Sequence, residues 1–579
     1  MTIRLTSQVK YMASIFFTDC IIDICGNCFR KRKTETILSF CDCYVIKTGI
    51  GGYFMIDFKM DYTYIVSGGV KLFTASLLPD ATRRFPTVII RTPYVDRYET
   101  YDEDDIVSEY MNEYKIWLKN GYAVIVQHCR GRGKSDGDCI PYINEREDGL
   151  ALQEWIRQQS FYNGELYLKG ESYLTSVHYV TAPFAEDIKG AVFGVQDSER
   201  YNICYRNGFM KKALNGSWYV ETYKAKSHMK KNYTYNSFNL LPLSNFTKTV
   251  FGEKAEDFDE MLKAPNPDDE FWSTRFGGND ARHATDNVKF PVLFTTGFYD
   301  LYTGGIFDMW HQMNENSRAN CALVVSPYDH VDSCDAEDSI VFENGKRVEQ
   351  FGQNYEVEWF NSIRDKNRKW PFERGKVTYY SLFENKWKCD NFNQPENKLQ
   401  IKLGDKEVTY TYNPYDAPSF KGGLSCNSGG TVFQDKPNSR YDIVSVYTEP
   451  FSEVILIKGK MSAKLFVKTD CDDTCFYVRI SISKERGDYG LRDDITSILF
   501  QHEDYKKNEE TDLTFNFDEH SFLIKKGEKL RIDIASADNA HYVRHTNNKG
   551  LYREQTTAKI AQNTVFLNKS YILLPVEKA

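Results

Sequence analysis

No apolar run in the chain is long enough to cross a bilayer as a helix, which argues against a membrane-spanning segment. Internal repeats and low-complexity linkers are also missing, so the chain is neither a solenoid nor a tethered array. It has no excess of positive charge: 73 Lys and Arg stand against 81 Asp and Glu, a formal net charge of −8. That balance argues against nucleic acid and against an anionic membrane surface as partners. A disulfide framework is lacking as well, because most of the fourteen cysteines are scattered. Tyr11 through Ile22 is apolar enough to suggest a leader, yet Asp19 and Asp23 interrupt it and no clear small-residue cleavage site follows. Free thiols without a convincing leader indicate a reducing cytoplasm.

What the chain does have is α/β punctuation. At 579 residues it is too long for one core and suggests three or four units. Thr87-Val88-Ile89-Ile90 runs into Arg91-Thr92-Pro93-Tyr94, and Tyr122 through Val126 runs into Gln127-His128-Cys129-Arg130-Gly131-Arg132-Gly133. Asn144 with Glu147 reads as a capping pair that opens a helix with Leu152, Trp155 and Ile156 on one face. Further strands are expected at Leu166–Lys169, Gly190–Phe193, Pro291–Phe294 and Cys321–Val325. Near-continuous apolar runs of this kind suit a parallel sheet covered on both faces.

Gly170-Glu171-Ser172-Tyr173-Leu174 has the form of a strand ending at a nucleophile elbow, although Leu174 stands where G-x-S-x-G has its second glycine. In parallel sheets, ligands sit beyond the carboxyl ends of the strands. Two of those ends carry an acid and a base: Asp300 closes Thr295–Asp300, and His330 closes Ser326–His330. The order Ser, Asp, His is the one used by α/β-hydrolases. His330 would then take the Ser172 proton, and Asp300 would hold the imidazole tautomer. His128 precedes the nucleophile strand and His178 lies in the helix after it, so both are rivals by position. Gly133-Lys134-Ser135 lacks the earlier glycine of a phosphate loop and reads as a structural turn.

These segments together resemble the cocaine esterase and X-Pro dipeptidyl-peptidase family of serine hydrolases, from about residue 58 to 579. The resemblance runs through Phe85-Pro86-Thr87, Arg91–Tyr94, Gln127–Gly133, Glu147-Asp148-Gly149 with Glu154-Trp155, Gly170–Leu174, Gly297–Asp300 and Pro327–His330. It implies Ser172 as nucleophile, Asp300 as acid and His330 as base. It adds an oxyanion hole made by the Tyr94 hydroxyl and the Tyr173 backbone N–H. Three positions depart from the family's usual pattern: Thr175 replaces glycine, His128 replaces aspartate, and Tyr328 replaces tryptophan.

The expected architecture is an α/β-hydrolase domain (56–200 and 286–371), a helical cap (201–285) and a C-terminal β jelly roll (372–579). The last is read from alternating strands such as Val408–Tyr412 and Glu453–Ile457 beyond about Lys376. The cap offers Glu256, Asp257, Asp259, Asp268, Asp269 and Glu270 as carboxylates for an α-amino group. Residues 1–55 read as a poorly packed extension. Cys20, Cys25, Cys28, Cys41 and Cys43 there have a spacing that zinc sites also use.

The expected protein is a carboxylesterase or acylase working through an acyl-Ser172 intermediate, with no cofactor and no metal. Its partner would be a small-molecule ester, amide or short peptide, and a homodimer is compatible with the sequence. The alternatives are an Xaa-Pro dipeptidyl peptidase or α-amino-acid ester hydrolase, acyl transfer to a nucleophile other than water, and a disabled binding protein that uses its jelly roll.

Overall fold

In the computed structural model, residues 44–47, 53–56, 58–224, 232–273, 281, 288–333, 335–426 and 428–577 are described. The five N-terminal cysteines lie outside them.

A ten-stranded sheet organises the first two thirds of the chain. Its strands are β1 (Lys59–Ser67), β2 (Val70–Leu78), β3 (Phe85–Thr92), β4 (Ala123–His128), β5 (Tyr162–Glu171), β6 (Ile188–Gly194), β7 (Val292–Gly297), β8 (Ala322–Ser326), β9 (Val377–Ser381) and β10 (Lys386–Asp390). Their spatial order is β10-β9-β8-β7-β6-β5-β3-β4-β2-β1. From β9 across to β4 every neighbour is parallel. Antiparallel strands finish both edges. The central strands are buried on both faces, as their unbroken Val, Ile and Leu content requires.

Helices cover the two faces. Helix α1 (Glu103–Lys119) buries Ile106, Val107, Tyr110, Met111, Trp117 and Leu118 on one side, with acids in its first turn and Lys119 in its last, as the helix dipole favours. Helix α2 (Glu145–Arg157) begins after Asn144 as the sequence suggests, but that side chain makes no capping bond. Helix α3 (Tyr173–Tyr179) starts directly from the end of β5, while α4 (Thr303–Gln312) and α5 (Tyr355–Arg364) follow β7 and precede β9.

Between β6 and β7 the chain forms short helices, including Phe246–Phe251 and Glu256–Met261, and a small antiparallel ribbon of Tyr205–Arg206 with Phe209–Met210. The segment expected to be a helical cap therefore also carries β structure. Its aromatic core, with Tyr201, Tyr219, Phe246, Phe258 and Trp272, is continuous with Tyr142 and Tyr173 beside the elbow.

Beyond Asp390 the chain is all β, in one eight-stranded and one four-stranded sheet with antiparallel pairing throughout. Strands β9 and β10 lie beyond the expected boundary at 372 and complete the central sheet, β9 buried along its whole length and β10 partly exposed at its edge.

Arg206 ties the ribbon to the β unit, donating to Asp494 Oδ1 at 2.8 Å, Asp518 Oδ1 at 2.9 Å and Asn516 O at 2.6 Å. Removing one partner of a buried ionic cluster strands the others without their counter-charge. Arg206→Ala should lower unfolding stability by about 3–5 kcal/mol, read from the urea midpoint. An unchanged midpoint would show that water replaces the guanidinium at no cost.

Candidate active site

Ser172 occupies the turn between β5 and α3 with φ 57° and ψ −132°, a backbone conformation that is rare for a residue with a side chain. Gly170 makes the turn possible, since a Cβ there would lie 2.3 Å from the Leu174 carbonyl oxygen. The turn is anchored to β6: Ser172 N–H donates to Gly194 O at 2.9 Å, and Thr175 Oγ1 donates to the same oxygen at 3.0 Å while accepting Gly194 N–H at 3.2 Å. Thr175, a departure from the usual glycine, thus acts as a pin between helix and sheet.

The β5-β6-β7-β8 register aligns Glu171, Gly194, Thr295 and Val324 in one row. Ser172, Asp300 and His330 all follow strands of this row and so share one edge of the sheet. The Asp300 carboxylate is fully buried, taking His330 Nδ1 at 2.8 Å on one oxygen and the Thr296 hydroxyl at 2.8 Å on the other. A carboxylate against Nδ1 makes that nitrogen the protonated one and leaves Nε2 as the acceptor. Tyr302 packs edge-on to the imidazole at 5.5 Å.

The Ser172 hydroxyl does not hydrogen-bond His330. Instead it accepts from the Tyr94 hydroxyl at 3.4 Å. Tyr94 is 50% exposed along its ring, but its hydroxyl end is enclosed: burial raises its pKa, while hydrogen bonding with Ser172, Trp218 and the Tyr173 backbone N–H opposes the rise. Tyr94 O–H and Tyr173 N–H therefore both lie beside Ser172. The Tyr173 side chain turns away, donating to Glu145 Oε1 at 2.7 Å and accepting Tyr142 N–H at 2.8 Å. Glu145 in turn pairs with buried Arg91 at 2.8 Å, fixing β3, α2 and α3 to one another beneath the elbow.

The rival histidines have structural partners. His128 accepts Lys134 N–H on Nδ1 at 3.1 Å and meets the Tyr110 hydroxyl at Nε2 at 2.8 Å, so it supplies the turn with the acceptor that aspartate would otherwise provide. Tyr328, in the place of tryptophan, closes a reciprocal pair with the Phe342 backbone at 2.8 and 3.0 Å. Ser135 bridges Phe73 N–H and His128 O inside the sheet edge, which is a structural role. His178 is buried in α3 against the Lys169 carbonyl, and burial holds it down to about 3.

A cavity of about 350 Å³ opens beside Leu301, Gly304 and Gly305, just past Asp300. None of the six cap acids lines it. Asp259 takes the Thr247 hydroxyl, and Asp269 takes Asn266 N–H. The carboxylates that do line it are Asp197, pushed up to about 7 by burial, Asp308, paired with Lys460, and Asp494 and Asp518, both held by Arg206. Sequence reasoning missed these residues, and it also missed Ser425 and Cys426 from the β unit. Ser425 O accepts His330 N–H at 3.4 Å. The Cys426 thiol is pushed up to about 12 by burial, with Asp300 and Asp329 adding to the rise. Gly422-Gly423 is the nearest sequence signal for that loop.

A serine at a strained strand-to-helix turn, on the same sheet edge as an acid-bound imidazole, has the frame of an α/β-fold serine hydrolase. The sequence model of the X-Pro dipeptidyl-peptidase (S15) family matches residues 68–332, and that of the X-Pro dipeptidyl-peptidase C-terminal non-catalytic domain matches 343–572. Cocaine esterase from Rhodococcus sp. (strain MB1 Bresler) is 20% identical over 585 residues, spanning 88% of this chain and 97% of that protein. An α-amino acid ester hydrolase structure superposes with TM-score 0.75 at 16% identity, covering 90% of this chain and 97% of its own. An aminopeptidase from a Thaumarchaeota archaeon gives 0.73 at 16%, covering 92% and 98%. The chain belongs to the cocaine esterase and X-Pro dipeptidyl-peptidase family, and is a serine hydrolase acting on ester or amide bonds.

Because the folded protein keeps His178 neutral down to about pH 3 while the unfolded chain takes up its proton near 6.5, the unfolded state binds more protons between those values. Stability therefore rises with pH across that window. His178→Gln should flatten the slope in urea unfolding at a series of pH values. An unchanged slope would show that His178 is not its source.

Proposed function

We propose that Ser172 is the nucleophile of an acyl-enzyme mechanism, with His330 as general base and acid, Asp300 as its orienting carboxylate, and Tyr94 O–H with Tyr173 N–H as the oxyanion hole. The observation that carries this reading is the His330–Asp300 contact at 2.8 Å on the sheet edge that also bears Ser172 and its Tyr94 donor. In the free protein Tyr94 donates to the serine itself. When a substrate carbonyl oxygen takes that donor, Ser172 Oγ is released to turn toward Nε2, which accepts its proton as Oγ attacks the carbonyl carbon. The imidazolium then returns the proton to the leaving alcohol or amine, and water repeats the sequence to free the acid. Donors already in place where negative charge develops need no reorganisation.

We favour a carboxylesterase or acylase over an Xaa-Pro dipeptidyl peptidase or α-amino-acid ester hydrolase. A free α-amino group calls for unpaired carboxylates near the acyl site. Of the cap acids, Asp259 already takes the Thr247 hydroxyl and Asp269 the Asn266 N–H. Among the described residues Cys129, Cys321, Cys389, Cys426, Cys471 and Cys475 are free thiols, which suits a reducing cytoplasm.

Ser172→Ala should lower kcat on p-nitrophenyl butyrate by roughly 10⁶, and Tyr94→Phe by about 10²–10³. p-Nitrophenyl esters should be cleaved in preference to Ala-Pro-p-nitroanilide. Preferential release from the anilide would make the protein a peptidase. Failure of a fluorophosphonate probe to label Ser172 would make it a binding protein.

A further inference from the structure

Tyr299 precedes Asp300 and Asp329 precedes His330, and both are buried. The C-terminal β unit takes up much of their hydrogen-bonding capacity. Ser425 N–H donates to Tyr299 O at 3.0 Å. The Thr431 hydroxyl donates to the Tyr299 hydroxyl at 2.7 Å, which itself donates to Gly490 O at 3.1 Å. On the other side, Asp329 Oδ1 accepts Val331 and Ser333 N–H from its own loop at 3.2 and 3.3 Å, while Oδ2 accepts Gly429 N–H at 3.3 Å. The loop that delivers these contacts is closed by mutual Gly423 and Gly430 backbone bonds at 3.3 and 3.2 Å.

Gly429 shows how closely the loop is applied. A Cβ there would lie 2.8 Å from Gly423 O and 2.9 Å from Asp329 Cβ, shorter than real side chains come, and 3.1 Å from Tyr299 O, a tight contact. Strand-end loops such as those holding Asp300 and His330 are mobile by default, and an acid–base pair must be held within about 0.5 Å to work. Here the restraint comes from another part of the chain.

We propose that residues 423–426 and 428–431 of the C-terminal β unit form a positioning clamp that sets the Asp300–His330 geometry, with Gly429 and Thr431 acting through Asp329 and Tyr299. The unit described in its family as non-catalytic would thereby take part in turnover. The inference rests on the Ser172, Asp300 and His330 reading above.

The test measures kcat and KM on p-nitrophenyl acetate, the rate of fluorophosphonate labelling and the melting temperature, all on the full chain. The variants are Gly429→Ala, Thr431→Val, Thr431→Ser, Ser172→Ala and Gly404→Ala. Gly404 lies in the same unit, away from the clamp, where an added Cβ meets only Leu567 at 3.2 Å. Gly429→Ala and Thr431→Val should lower kcat and labelling by about 10- to 100-fold, as a sub-ångström to 1 Å misplacement does. KM should stay within about twofold, since binding is not removed. Thr431→Ser keeps the donated hydroxyl and should restore activity, and Gly404→Ala should alter melting alone. Wild-type kcat in Gly429→Ala and Thr431→Val, or a loss no greater than that of Gly404→Ala at matched melting, would overturn the clamp. Full hydrolysis by Ser172→Ala would overturn the underlying reading instead. A dead Ser172→Ala beside intact clamp variants overturns the clamp alone.

Discussion

The site depends first on one backbone turn. Ser172 is held at φ 57° by three hydrogen bonds to Gly194 of the neighbouring strand, two of them through the Thr175 hydroxyl. Such a conformation costs about 1–3 kcal/mol unless its surroundings over-determine it. The surroundings do so with a glycine that admits no Cβ, a threonine pin, and a buried Arg91–Glu145–Tyr173 chain beneath the helix. These contacts fix Ser172 at the end of β5 beside the Tyr94 hydroxyl.

Charge burial is managed in the same spirit. The Asp300 carboxylate has no solvent exposure, yet both of its oxygens are used, by His330 and by Thr296. A buried carboxylate without such partners would be driven toward its neutral form. Asp197 is also buried, and burial pushes it up to about 7 although its side chain accepts Glu199 N–H.

The same sheet edge is where three parts of the chain meet. The segment between β6 and β7 reaches Tyr142 and Tyr173 through one aromatic core, and Arg206 binds that segment to the all-β unit. The all-β unit in turn presses its loop against Tyr299 and Asp329.

Much of this was legible in the sequence because strand patterning and turn chemistry are local. Continuous Val, Ile and Leu runs must be buried on both faces, so the parallel strands and the loops at their ends could be placed. With them came Ser172, Asp300 and His330 as candidates, while Tyr94 came only with the family resemblance. Other features were not legible. The residues of Val377–Ser381 and Lys386–Asp390 could not assign them to the central sheet, because which sheet takes a strand depends on distant partners. Acidic residues between β6 and β7 could not be separated from the acids that line the cavity, because charge does not reveal direction. The contacts of Gly429 and Thr431 with Asp329 and Tyr299 span about a hundred residues or more. Local sequence determined which strands form and which side chains stand at their ends. Only the packing of distant segments, which no local propensity encodes, decided what holds those ends in place.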